Sequence, residues 1–99
     1  MGQQKTQWVV GMTRKASKGK GKLPLETQIA FLALFALLQE DGPAQPRWPH
    51  YGKFEGKKDT YHCHLNKGRP TYVAVWRVLD KEQKIMEVRY VGTHENAPY

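Results

Sequence analysis

The sequence predicts a single α+β domain in which an N-terminal strand and a helix pack on a mainly antiparallel sheet ending in a three-strand meander. Three observations carry this. A short β-branched and aromatic run opens the chain, an apolar helix-like run follows, and three strand-like runs then succeed one another across short polar connections. Ninety-nine residues can bury one hydrophobic core but not two independent ones, so residues 1–99 are expected to fold as one unit.

The first strand is read from "TQWVVGM", residues 6–12. Next comes "TRKASKGKGK", where Arg14, Lys15, Lys18, Lys20 and Lys22 alternate with Gly19 and Gly21. Glycine and like-charge repulsion both oppose a helix there, so residues 13–23 are expected to form a mobile basic loop. From Pro24 to Gln39 the signals change: Pro24 suits a first turn, Glu26 sits near the positive end of the dipole, and Gly42-Pro43 supply a stop. Ile29, Leu32, Ala33, Ala36 and Leu37 form one apolar stripe of this helix, while Phe31, Leu34, Phe35 and Leu38 form another. One sheet covers one stripe, which leaves the other for a second helix, a second copy of the chain or a separate protein.

Residues 41–59 read as loop, with three prolines and three glycines. Trp48, between Pro46 and Pro49, is expected to pin that loop. Thr60 to Leu65, Thr71 to Leu79 and Ile85 to Val91 then read as strands joined by "NKGRP" and "DKEQK". Tyr72, Trp76 and Val78, and likewise Met86, Val88 and Tyr90, are each expected to make one face of a packed strand.

Sixteen Lys and Arg against nine Asp and Glu give a formal charge of +7, which points to polyanionic partners, nucleic acid being the commonest. Cys63 is alone, which rules out an intramolecular disulfide scaffold and fits a reducing cytoplasm. The longest apolar run, "IAFLALFALL", is about half of the ~20 residues needed to span a bilayer, and no membrane association is expected.

The stretch "TYHCHL" carries the chemistry. On a strand, His62 and His64 share one face while Tyr61, Cys63 and Leu65 take the other. With Cys63 turned away, a tetrahedral zinc site would have to be completed by His94, His50 or a carboxylate, so neither metal nor cofactor is expected. The pair then reads either as polar surface histidines or as a proton-transfer pair. Lys57, Lys58, Lys67 and Arg69 surround it in sequence, and the chain closes with His94 and Tyr99 in "VGTHENAPY". Two histidines flanking a phosphate can act as base and acid, cations stabilise the phosphoryl oxygens, and an aromatic stacks on a base. Such a set would suffice for metal-free RNA cleavage through the ribose 2′-OH, a nucleophile that DNA lacks.

From Gly56 onward the pattern "GKKDTYHCHLNKGRPTYVAVWRVLDKEQKIMEVRYVGTHENAPY" resembles the C-terminal sheet of the RelE/ParE toxin superfamily of bacterial type II toxin–antitoxin systems. The marks are a glycine ahead of a His-bearing strand, the strand "TYVAVWRV", and a last strand running into "VGTH" and a terminal aromatic. The resemblance implies a small RelE-like fold and a ribosome-dependent messenger RNA endonuclease silenced by a cognate antitoxin, in the cytoplasm, as a homodimer or a toxin–antitoxin hetero-oligomer. It implies catalytic roles for His62, His64, His94, Tyr99 and Arg69 and RNA contacts from Lys53, Lys57, Lys58 and Lys67. Val73 stands where many members carry an arginine, and the basic loop stands where members have the first helix of a hairpin. The superfamily also contains ParE-like, non-enzymatic inhibitors of DNA gyrase, the alternative reading. A basic RNA-binding module without catalysis is a third.

Overall fold

The computed structural model describes residues 7–98. The elements run β1 (Val9–Met12), α1 (Arg14–Gly21), α2 (Leu25–Asp41), β2 (Gly52–Lys53), β3 (Thr60–His64), β4 (Tyr72–Asp80), β5 (Ile85–Thr93) and a 3₁₀ turn, His94–Asn96. They form one five-stranded sheet in the order β1-β5-β4-β3-β2. β1 pairs with β5 in parallel, and every other pairing is antiparallel. This is the α+β arrangement that the strand, helix and meander predict. The two-residue β2 lies inside the segment read as loop and pairs through Gly52 with His62.

Residues 13–23 correct the expectation of a loop, since Arg14–Gly21 is α-helical. Thr13 starts the helix by accepting a hydrogen bond from the Ala16 amide at 3.1 Å, and its hydroxyl donates to the Arg89 carbonyl at 3.2 Å. Ala16 is fully buried. A Cβ on Gly19 would run into the Val91 carbonyl oxygen, so this glycine allows close approach and does not act as a breaker. α1 thereby takes over the edge of β5 beyond Val88, where β1 stops pairing.

The main core lies between the sheet and the helices. Trp76, Phe31, Leu34, Leu38, Met86, Val88 and Cys63 are almost wholly buried, and the Trp76 indole donates to the Pro43 carbonyl at 3.0 Å. Trp48 packs against this core, as a pinning residue should. Phe31, Leu34 and Leu38 are the inner stripe of α2. Its other stripe is uncovered: Leu25, Ile29 and Leu32 are 72%, 60% and 54% exposed.

One expectation about β5 fails. Met86 and Val88 face the helices, whereas Tyr90 joins Val73 and Val75 on the opposite face. The register explains it: Val88 pairs with Trp76 and Tyr90 with Val75, leaving Arg89 as an extra residue in a bulge that reverses the alternation. Among the described residues, no helix is long and apolar enough to cross a membrane.

Candidate active site

The face of the sheet away from the helices carries a second, smaller buried cluster of Val73, Val75 and Tyr90, with Phe54 and Ala97 packed against it, and the polar groups lie around this cluster. Alternation along β3 sends Cys63 and Leu65 into the core and presents His62 and His64 to this face. Cross-strand pairing sets His62 beside Val75, followed by Tyr90, and His64 beside Val73, followed by Gly92. Gly52 makes room for the first of these: a Cβ there would lie 3.1 Å from the His62 Nε2.

Two further histidines arrive from outside the strands. The His94 amide donates to the Thr71 carbonyl at 2.8 Å, which folds the turn after β5 back over the start of β4. His50 comes from the proline-rich loop. Gln45, buried, donates to the Leu37 and Gly42 carbonyls, the Trp48 amide donates to the Gln45 carbonyl at 3.1 Å, and the His64 amide donates to the Pro49 carbonyl at 2.8 Å. The loop is tied at both ends, and His50 closes it with a left-handed backbone at φ 55°. Such conformations concentrate at functional sites.

The imidazoles of His50 and His64 are stacked, with centroids 4.1 Å apart and planes 24° from parallel. His94 meets His64 edge-on at 5.4 Å, and Phe54 lies 4.8 Å from His62. His50, Tyr51, Phe54, His62, His64 and His94 line a shallow cleft of about 490 Å³. It continues past His64 and His94 into a groove lined by Arg69, Thr71, Thr93 and Glu95.

Burial lowers the pKa of His62, helped by the charges of His94 and His50. Burial likewise lowers that of His64, followed by the influence of His50, His94 and His62. Both rings therefore favour the neutral form, which can take up a proton at neutral pH. Cys63, between them but in the core, has its thiol pushed up to about 12 by burial and is no nucleophile. Among the described residues no three His, Cys, Asp or Glu side chains are grouped so that they could hold a metal ion.

Of the residues singled out in the sequence, His62, His64, His94 and Arg69 come together. Lys67 lies beside Arg69, His50 and His64. Val73, where the superfamily pattern has arginine, is fully buried beside His64, so Arg69 is the guanidinium that reaches the groove. Lys57 and Lys58 line a separate trough further along the same face. Lys53 pairs with Tyr61 and lies over its ring at 5.8 Å, on the helix side of the sheet and away from the histidines. It therefore stands apart from the histidine cleft, because on a strand one step in sequence changes the face. Tyr99 lies outside the described residues. His50 is the addition: the sequence marks it only by the flanking "PRWP", which predicts a stiff loop but not where the loop returns.

This combination of a mixed five-stranded sheet and two N-terminal helices is the fold of small RelE-like toxins. RelE of the archaeon Pyrococcus horikoshii, solved as a RelE-RelB complex, superposes with a TM-score of 0.72 at 20% identity, covering 93% of this chain and all of that one. The isolated Escherichia coli RelE toxin gives 0.68 at 22% identity over 92% of this chain and 88% of that one. The Staphylococcus aureus YoeB dimer gives 0.68 at 10% identity, covering 90% and 99%. No family model matches the chain, and no curated protein matches it in sequence.

Proposed function

We propose that this chain is the toxin of a type II toxin–antitoxin pair and acts as a ribosome-dependent messenger RNA endoribonuclease. The observation that carries the reading is the convergence of four histidines and Arg69 on the sheet face away from the helices. His64, with His62 beside it, removes the proton from a ribose 2′-OH. That oxygen attacks the adjacent phosphorus, the P–O bond to the 5′ oxygen breaks, and a 2′,3′-cyclic phosphate forms. His94 protonates the departing 5′ oxygen, while Arg69 and Lys67 balance the charge on the phosphoryl oxygens. Tyr99 is assigned to positioning a nucleotide.

The uncovered stripe of α2 supplies a surface for an antitoxin, the kind of partner carried by the archaeal RelE of similar fold. The similarities to RelE and YoeB lend the gyrase-directed alternative no support. Primer extension on a translated messenger RNA tests the proposal. New 5′ ends should appear only with ribosomes present, and His64→Ala and His94→Ala should each lower their formation roughly 10²–10⁴-fold. Intact RNA from a folded, ribosome-exposed protein, or full activity in both variants, would sink it.

A further inference from the structure

Along the face away from the helices the histidine rows give way to a second site. Arg77 of β4 pairs with Thr60 and shares the face of Val75 and Val73, whose partners are His62 and His64. Two residues of strand span about 7 Å, so Arg77 begins about 7 Å from the His62 row and about 14 Å from the His64 row. Around it runs a trough of about 400 Å³ lined by Lys15, Lys57, Lys58, Thr60, Arg77 and Arg89, with Val75 and Pro98.

Five cations from α1, the β2–β3 connection, β4 and β5 thus surround one depression, against a single neighbouring carboxylate, Glu87, which pairs across the strands with Arg77. Two of them have neighbours within the protein. Arg89 Nε donates to Glu87 at 2.9 Å, and Lys57 Nζ donates to the Pro98 carbonyl at 2.8 Å. The Arg77 Nε is buried and makes no hydrogen bond among the described residues. One carboxylate against five cations leaves an excess of positive charge around the trough, which a bound anion would offset. The trough and the cleft are joined by aromatic rings: Lys57 lies 5.3 Å from Phe54, which lines the cleft, and Lys15 lies 5.6 Å from Tyr90, in the His62 row.

We infer that the trough holds a backbone phosphate of single-stranded RNA other than the scissile one, so that the strand crosses this face from Arg77 to the histidines. The inference rests on the RNA-cleaving reading and adds Arg77, Arg89 and Lys15 to the substrate contacts. Bound phosphate offsets the mutual repulsion of the lysines and arginines that line the trough. A single strand suits the face because its phosphates can follow a shallow, curved path with a base against the half-exposed Phe54.

The test is equilibrium binding of an oligoribonucleotide made non-cleavable by 2′-O-methylation, read by fluorescence anisotropy over a series of salt concentrations, with a methylated dinucleotide as the short probe. Wild type, Arg77→Gln and the double variant Lys57→Gln/Lys58→Gln are compared after thermal melts show them folded. Removing one ion pair between the protein and a single-strand phosphate flattens the slope of log K against log salt by about 0.7. Both variants should show such flattening with the long probe and leave dinucleotide binding at the wild-type level. The exposed lysine pair keeps the test decisive should Arg77→Gln unfold. Wild-type slopes in the variants, or equal losses with both probes, would overturn the inference while cleavage by the wild type left the nuclease reading standing. A wild type that binds neither probe would also overturn the inference, whereas the nuclease reading falls only if translated messenger RNA stays intact with ribosomes present. Weakened binding of an acidic protein partner with unchanged RNA slopes would assign the trough to that partner and overturn the inference as well.

Discussion

The two faces of the sheet are made from the same strands and put burial to opposite uses. On the helix side Cys63, Trp76, Met86 and Val88 are sealed in the core, and their chemistry is silenced. On the opposite side His62 and His64, immediate neighbours of Cys63 in sequence, are only half-buried. Burial drives each group toward its neutral form. For the thiol that means raising the pKa to about 12 and removing the nucleophile; for the imidazoles it means lowering the pKa and holding them in the neutral form that can accept a proton. One step along β3 thus separates a group sealed in the core from one held neutral at the surface.

That separation can be broken by paired substitutions. Trp76→Ala removes a fully buried ring and its bond to Pro43, and should cost about 3–5 kcal/mol in urea unfolding, a large share of the ~5–15 kcal/mol typical of a domain. His64→Ala, on the other face, should change stability by no more than about 1 kcal/mol while abolishing most cleavage. Comparable stability losses in the two variants would mean that the histidine is part of the packing and that the faces are not divided as described.

The division is legible in the sequence where alternation rules. "TYHCHL" reads correctly as histidines out and cysteine in, and the meander follows from its turns. It is not legible where one strand departs from period two or where two backbones approach. The bulge at Arg89 sends Tyr90 across the sheet, and no residue type near it announces the extra step. Gly19 and Gly21 look alike as helix breakers, yet only the first is fitted against a carbonyl oxygen. His50 reaches His64 through Gln45, Trp48 and Pro49, tertiary contacts that a local pattern does not encode. Arg77 is not singled out in the sequence, because the lysines that share its trough come from two other elements.

The boundary between the faces is α1, which closes the β5 edge, and its two glycines sharpen the comparison at an intermediate scale. Gly19→Ala places a methyl group against the Val91 carbonyl, so the helix must move off the edge, at about 1–3 kcal/mol as for other overpacked sites. A Cβ on Gly21 meets nothing within 4 Å, and Gly21→Ala should be neutral or stabilise by about 0.4–1 kcal/mol. Thermal melts of the two single variants decide the matter. Equal effects would show that α1 does not press on β5.

The smallest effect concerns His50, whose ring lies on His64 without belonging to the sheet. His64 is faced by His50 from the loop, His62 from its own strand, His94 from the turn after β5, and Lys67, Arg69 and Glu95 along the adjoining grooves. Because His50 is among the groups that lower the His64 pKa, His50→Phe keeps a stacked ring, removes its charge and lets that pKa rise. The neutral base then disappears at a higher pH on acidification, so the acid limb of the cleavage profile should move upward while the rate on the alkaline side of that limb changes little. The stability profile runs in the same sense. Histidines with folded pKa values below 6.5 contribute fully above that pH, and their contribution falls away as the pH drops through the folded values, because the unfolded chain binds protons first. His50→Phe should lessen this acid sensitivity. A limb that stays in place while the rate falls equally at every pH would mark His50 as a prop for the loop, with no electrostatic hold on the base.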